Sequence, residues 1–216
     1  MGLIREVLDY KSDSIIIAFS SGIGAFDWMN TIETSILDVD FQRIYLMDIE
    51  RSWWYFGFEE LGGVGLEPLA NFLKKRIQDC NAKKVMTIGS SMGGYGAIAF
   101  GCLLNADVVF SVVPQIRIDN LPKEYNIDEE KFKKKGLELQ NLNLKFLLDK
   151  YTNNKTKYKI YYGINHEYDV WQFSLIENCK NVTGYKVKCE RDHALVPRIL
   201  VKDGTIKNEI INFLKE

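Results

Sequence analysis

The 216-residue sequence has few of the features that mark secreted, membrane-spanning or nucleic-acid-binding proteins. Its four cysteines show no CxxC spacing, so we interpret them as reduced and structural. The formal net charge of -1 gives no electrostatic reason to bind nucleic acid or an anionic membrane. No apolar run reaches 18 residues, and the first residues lack the apolar core of a signal peptide. We therefore expect no membrane span and a cytoplasmic location.

The sequence does contain a regular alternation of strand-like and helix-like segments. Several short apolar runs are typical of buried parallel strands, and segments of helical periodicity lie between them. The strand candidates are residues 14–20, 41–48, 84–89, 107–114, 157–164 and 182–190, and the helix candidates are 67–80, 95–105, about 170–180 and 203–216. The alternation predicts one doubly wound α/β domain over residues 1–216, with a mainly parallel sheet and helices on both faces.

One segment, residues 115–154, interrupts this alternation. It is polar and rich in lysine, and it includes "KEYNIDEEKFKKKG". Mixed charges of this kind are typical of a solvated helical insertion. An insertion at the strand ends is also suited to act as a lid or cap over a site. The two interpretations are compatible, and both stay open here.

The main chemical motif lies where a strand candidate becomes a helix candidate. Gly89 to Gly93 fit G-x-S-x-G with Ser91 at the centre, whereas Ser90 fails because Ile88 stands two residues before it. In this motif the serine occupies a sharp strand-to-helix turn, and the flanking glycines leave room for the crowded backbone. The turn holds the hydroxyl above the sheet, at a helix N-terminus that favours developing negative charge.

Around this motif the sequence resembles the α/β-hydrolases. The stretch "GSSMGGYGA" is similar to the nucleophile elbow of their serine esterase branch, and the resemblance extends from residue 14 to the last helix. It implies a short version of the fold that lacks the leading antiparallel strands of larger members. It also implies Ser91 as the nucleophile, a chain order of serine, acid and histidine, and no metal or organic cofactor.

The resemblance places the base and the acid in the last two loops of the sheet. His193 follows the last strand candidate, where the family carries its base, and His166 is the alternative base one loop earlier. Asp169 lies in the loop that carries the family's acid, with Glu167 as the rival in the same loop. Asp192 is too near His193 along the chain to orient it comfortably. We favour His193 as the base and Asp169 as the acid.

Acyl transfer also needs donors for the oxyanion. The resemblance implies the amide of Met92, which follows the nucleophile, and a second amide from the loop at residues 19–28. That loop reads "FSSGIGAFDW", and we predict an amide near Ser21 as the second donor. The loop departs from the HGGG form of many lipases, so a plain turn at Gly22 and Gly24 remains the alternative.

An aromatic stretch, "WWYFGF" at residues 53–58, follows another strand candidate. It should lie on the same sheet edge as the serine. We predict that Trp53, Trp54 and the neighbouring Arg51 contact the substrate. The alternative is that the aromatic rings pack the insertion onto the body of the domain, with Arg51 and Asp48 paired structurally.

Together these residues predict a serine hydrolase that cleaves a carboxylic ester through an acyl-enzyme. The expected substrate is a small-molecule ester or a glycan or lipid ester. Two alternatives use the same triad, an O-acyltransferase and a thioesterase. A third is a non-catalytic protein that keeps the fold for binding, although retention of all three triad residue types in order argues against it. Substrate identity depends on pocket residues rather than on the fold.

Overall fold

A computed structural model describes residues 2–8, 11–35, 39–122, 125, 127–151, 155–189 and 192–216. Within these ranges seven strands form one sheet in the order β1-β3-β2-β4-β5-β6-β7. The strands are β1 (Gly2–Val7), β2 (Ser14–Phe19), β3 (Gln42–Asp48), β4 (Lys84–Ser90), β5 (Val108–Val112), β6 (Lys157–Gly163) and β7 (Val182–Val187). Every neighbouring pair is parallel except β1 and β3. The predicted mainly parallel sheet is confirmed.

Helices cover both faces of this sheet. They are α1 (Asp27–Ser35), α2 (Glu67–Asp79), α3 (Met92–Leu104), α4 (Glu129–Lys134), α5 (Leu144–Tyr151), α6 (Glu167–Ser174), α7 (Leu195–Lys202) and α8 (Thr205–Lys215). One core layer joins α2, α3, α5 and α6 to the sheet, and the other joins α1, α7 and α8 to its opposite face. In the described part of the chain no helix is long and apolar enough to cross a membrane.

The central strand β2 shows why the sheet is buried on both faces. All six of its residues are buried. Ile15 and Ile17 belong to one core layer, while Ile16 and Ala18 belong to the other. Successive side chains of a strand point to opposite faces, so a continuous apolar run fills both layers at once.

Four elements differ from the expectation. Strand β1 is an antiparallel leading strand, so the chain does not lack such strands altogether; its register runs from Gly2 opposite Asp48 to Val7 opposite Arg43. As an edge strand with charged residues it lacks the continuous apolar run of the buried strands. Helices α1 and α7 were not among the helix candidates, and they are short, with nine and eight residues. Helix α3 begins at Met92, three residues earlier than expected.

The segment at residues 115–154 lies between β5 and β6. Its described part contains α4, a 3₁₀ turn at Leu139–Asn141 and α5. Apolar side chains of both helices, Phe132, Leu144 and Leu148, are buried against the main core. The described helices of this segment are therefore packed on the domain, and a role as a lid stays a prediction.

The packing of α3 on the sheet can be tested at Gly101. A Cβ at Gly101 would lie 2.2 Å from the Val109 Cγ2 atom of β5. Gly→Ala inside a helix ordinarily stabilises by up to about 1 kcal/mol. Here we expect Gly101→Ala to lower the free energy of unfolding by about 1–3 kcal/mol through overpacking.

The control is Val109→Ala, which removes the overlapping methyl group. In that background the cost of Gly101→Ala should largely vanish, measured by urea unfolding of the four proteins of a double-mutant cycle. Additive costs would contradict the close approach of α3 to β5.

Candidate active site

Ser91 is the single residue between β4 and α3. Its backbone torsions are φ 54° and ψ -119°, which L-residues rarely adopt. Its amide donates to the Val112 carbonyl at the end of β5, at 2.9 Å. The Ser91 side chain therefore stands at the carboxyl edge of the sheet, beside the N-terminus of α3, where helix amides have no partner within the helix.

Two glycines make this turn sterically possible. A Cβ at Gly89 would lie 2.0 Å from the Gly93 carbonyl oxygen, and a Cβ at Gly93 would lie 2.2 Å from the Phe19 carbonyl oxygen. Neither neighbour is a flexible side chain that could move aside. The positions two before and two after Ser91 therefore require glycine, as the motif predicts.

A histidine and a carboxylate from two different connections meet beside this turn. His193 Nδ1 lies 2.6 Å from Asp169 Oδ1. His193 lies between β7 and α7, and Asp169 lies in the first turn of α6 rather than in the preceding loop. The Asp169 side chain is only 1% exposed. His193 Nε2 is buried and has no hydrogen-bond partner among the described residues.

The alternative base, His166, touches the same carboxylate. It is the N-cap of α6, and its Nδ1 accepts from the Asp169 amide at 3.3 Å and lies 3.0 Å from Asp169 Oδ1. A neutral His166 that accepts at Nδ1 carries its proton on Nε2. The sequence interpretation of His166 as a surface or supporting residue did not include this contact with Asp169.

The Asp169 carboxylate and the two histidines beside it also offer ligand atoms for a metal. One atom each from His166, Asp169 and His193 lies within 4.8 Å of the others. The short His193–Asp169 hydrogen bond already uses two of these atoms. That contact is the arrangement by which a carboxylate fixes the tautomer and orientation of an imidazole, so the cluster suits proton transfer.

A cavity of about 610 Å³ opens beside these groups. Residues that were expected to share one site contribute to its wall: Ser21, Arg51, Trp53, Ser91, Met92 and His193. Further lining residues, including Trp28, Val113, Gln115, Tyr125, Val201 and Ile206, were not expected from the sequence. Most of them come from α1, α7, α8 and the segment after β5, whose positions depend on tertiary packing. The volume suits a small-molecule ligand.

One expected oxyanion donor is already engaged. The Ser21 amide lies 3.2 and 3.3 Å from the two carboxylate oxygens of Asp27 and donates to them. Burial raises the pKa of the Asp27 carboxyl, although its hydrogen bonds to backbone amides act in the opposite sense. The Ser21 amide can reach an oxyanion only by sharing or releasing Asp27. Asp27 had no role in the sequence interpretation.

The two adjacent tryptophans have different places. Trp53 is 3% exposed, lines the cavity and donates from Nε1 to Gln115 Oε1 at 2.8 Å. Trp54 is 1% exposed, is absent from the cavity wall, and lies edge-on to Phe19. Its Nε1 donates to the Met92 carbonyl at 3.3 Å. The expectation that Trp54 contacts the substrate is therefore corrected, because its ring packs against α3 in the core.

A buried aspartate holds this aromatic turn in shape. Asp48 Oδ2 accepts from the amides of Ser52 and Trp54 and from the Ser52 hydroxyl, at 2.8–3.0 Å. Arg51, Trp53 and Trp54 all have φ between 50° and 74°, where non-glycine residues are strained. The hydrogen bonds of Asp48 offset this strain. Asp48 makes no ion pair with Arg51 among the described residues, contrary to the structural pairing considered from the sequence.

Comparison with known proteins supports the assignment of the fold. No family model matches the sequence, and neither does any curated protein. Among solved structures, a capsule O-acetyltransferase of Neisseria meningitidis serogroup A matches with a TM-score of 0.71 at 15% identity, over 96% of this chain and 91% of that chain. The fluorophosphonate-binding serine hydrolase FphF of Staphylococcus aureus matches with a TM-score of 0.64 at 14% identity, over 95% and 84%.

A lipase-esterase related protein from Clostridium acetobutylicum matches over 99% of both chains, with a TM-score of 0.60 at 19% identity. These structural neighbours are esterases, serine hydrolases and an O-acetyltransferase of the α/β-hydrolase type. The chain therefore has the α/β-hydrolase fold. At such identities the likeness establishes the fold and leaves the activity to the site.

Trp53 lines the cavity and Trp54 is buried in the core, so Trp54 variants serve as controls for Trp53 variants. Trp53→Ala should lower kcat/KM increasingly as the acyl or alcohol part of the ester grows, because the ring forms part of the cavity wall. Trp54→Ala should instead cost about 3–5 kcal/mol of folding free energy and leave the size profile unchanged.

The measurements are melting curves and kcat/KM per folded molecule over a series of p-nitrophenyl esters of increasing chain length. Trp54→Phe provides a folded control if Trp54→Ala does not fold. If kcat/KM of Trp53→Ala depends on ester size as in the wild type, the prediction that Trp53 contacts the substrate in the cavity is contradicted.

Proposed function

We propose that the protein is a serine hydrolase that cleaves a carboxylic ester through an acyl-enzyme. Ser91 is the nucleophile, His193 the general base and acid, and Asp169 the residue that orients His193. The main observation in support is the 2.6 Å contact of His193 Nδ1 with the buried Asp169 carboxylate, beside the cavity that Ser91 lines. Three separate connections of the sheet meet there, and core packing alone does not require these three residue types.

The geometry suggests the following steps. With the Nδ1 proton held by Asp169, the unprotonated Nε2 of His193 is suited to take the hydroxyl proton of Ser91 as its Oγ attacks the ester carbonyl. His193 then gives the proton to the leaving alcohol, and an acyl group remains on Ser91. Water attacks this acyl-enzyme with the same imidazole as base, which returns the free serine and releases the acid.

Two amides are proposed to stabilise the oxyanion. The Met92 amide lies in the first turn of α3, where it has no partner within the helix. The second donor is proposed near Ser21, as expected from the sequence, with the Asp27 carboxylate sharing or leaving that amide when the oxyanion forms. The segment at residues 115–154 stays a proposed lid, because Gln115 and Tyr125 line the cavity. The cytoplasmic location also stays a prediction.

A second candidate is an O-acyltransferase on the same triad. It is favoured by the structural likeness to a capsule O-acetyltransferase, which covers 96% of this chain, and by a second match to that protein in complex with CoA. In this variant an alcohol other than water attacks the acyl-enzyme. The two activities are distinguished by the product of an acylated donor with and without a sugar acceptor: free acid indicates hydrolysis, and an acylated sugar indicates transfer.

The nucleophile is tested with a fluorophosphonate probe. We expect the wild type and Ser90→Ala to be labelled, because only the Ser91 position has the torsions of the turn between β4 and α3. Ser91→Ala should remain unlabelled, measured by gel fluorescence and by mass spectrometry of the modified peptide. Equal labelling of Ser91→Ala would exclude the assignment, and absence of labelling in the wild type would favour the non-catalytic alternative.

The base is tested by comparing the two histidines that contact Asp169. His193→Ala should lower kcat for p-nitrophenyl acetate by several powers of ten, as expected for loss of a triad member. His166→Ala should have a much smaller effect, because it removes an N-cap and a second contact to the carboxylate. Steady-state kinetics with circular dichroism as the folding control measures both, and a reversed order of effects would make His166 the base.

A further inference from the structure

The cavity has a positively charged opening. Among its lining residues, Arg51, Arg198 and Lys202 are exposed, whereas the tryptophans and Met92 deeper in the wall are buried. We call these three residues the cationic rim. Within the described part of the chain their side chains make no hydrogen bond and no ion pair.

The nearby carboxylates do not neutralise the cationic rim. Asp27 is the acidic residue of the cavity wall, and its buried carboxyl accepts from the Ser21 amide. Asp192 and Asp203 stand just outside the two ends of α7, and each accepts from a backbone amide two residues further on. No described carboxylate lies within ion-pair distance of Arg198 or Lys202.

The two cations of α7 repel each other, and a bound anion would relieve this repulsion. Arg198 and Lys202 are four residues apart on one helix, so their side chains are neighbours, and like charges at this spacing weakly destabilise a helix. The same spacing joins opposite charges in Lys75–Asp79 and in Lys145–Asp149. The helix dipole favours Lys202 in the last turn but gives Arg198 no such benefit.

The third cation is placed by a strained turn. Arg51 has φ 50°, and the hydrogen bonds from Ser52 and Trp54 to Asp48 hold the residues that follow it. A non-glycine residue in this region is strained, so the position of Arg51 depends on the surrounding contacts. The result is a cation from the aromatic turn that borders the same cavity as the two cations of α7.

We infer that the cationic rim binds a phosphate group of the substrate while the ester or thioester lies at Ser91. A phosphate offers several anionic oxygens to cations that come from two separate elements, and the planar arginine forks match it. The deeper wall, with Trp28, Trp53 and Ile206, then receives the apolar part of the ligand. This inference rests on the proposed function and assigns the substrate class of the same site.

Phosphate could reach the rim from two sources, and matched substrate pairs distinguish them. For phosphate on the alcohol side the pair is acetylglycerol and acetylglycerol 3-phosphate. For phosphate on the acyl-donor side the pair is S-acetylpantetheine and S-acetyl-4′-phosphopantetheine. Within each pair the reacting bond is the same and only the phosphate differs. The ratio of kcat/KM for the phosphorylated to the neutral compound therefore reports the effect of the phosphate alone.

In the wild type at low salt we expect this ratio to be about tenfold or more in at least one pair, and to fall as ionic strength rises. It should drop towards one in the double variant Arg198→Gln/Lys202→Gln, and Arg51→Gln should lower it as well. Lys207→Gln is the matched control, because Lys207 is an exposed cation on α8 outside the cavity wall. The wild-type ratio should persist in that control.

A binding measurement separates this inference from the proposed function. Calorimetric titration of Ser91→Ala with the preferred phosphorylated compound and its neutral partner requires no turnover. Tighter binding of the phosphorylated compound, lost in the rim variants, supports the rim even if the wild type hydrolyses nothing. Equal binding and equal kcat/KM within both pairs, or a phosphate preference that survives removal of the rim charges, would overturn it.

Discussion

The constraint on which the site depends is the backbone of Ser91, at φ 54° and ψ -119° between a buried strand and a buried helix. This conformation is strained for any side-chain-bearing residue, so it persists only because the surroundings determine it. Backbone carbonyls lie where side chains at Gly89 and Gly93 would be, and the Ser91 amide is bonded to the end of β5. The close contact between α3 and the sheet thus keeps the hydroxyl at the sheet edge.

The parallel sheet brings the other groups to that edge. Asp169 and His193 follow β6 and β7, two strands whose carboxyl ends lie on the same side as the end of β4. Asp169 is nearly fully buried, which strengthens its hydrogen bond to His193, and one of its oxygens, Oδ1, is in contact with both histidines. The proposed triad residues therefore lie on or beside rigid elements, whereas α7 and the aromatic turn contribute exposed residues to the cavity wall.

Parts of the fold and of the candidate site could be predicted from the sequence, and others could not. The strands β2 to β7 and the position of Ser91 follow from local signals, because buried runs and the G-x-S-x-G spacing are properties of adjacent residues. The chain order of acid and base follows from the resemblance. Strand β1 was missed because an edge strand with charged residues lacks a continuous apolar run. Helix α1 is only nine residues long, so its periodicity covers few turns. The sequence could not show which of Trp53 and Trp54 lines the cavity, because the two aromatic residues are adjacent and give the same signal. The turn at Asp48 directs Trp53 to the cavity and Trp54 to the core.

The sequence by itself therefore determined the fold class and the strand-to-helix turn at Ser91, since both are encoded in short-range patterns of residue type. The order of the candidate triad came from the resemblance to the α/β-hydrolases. Only the tertiary structure decided which groups meet. It placed His166 on the Asp169 carboxylate, Asp27 on the Ser21 amide, and Arg51 on the wall of the same cavity as Arg198 and Lys202. These contacts join residues from separate elements, and their distances depend on how helices pack on the two faces of the sheet, which no local pattern specifies.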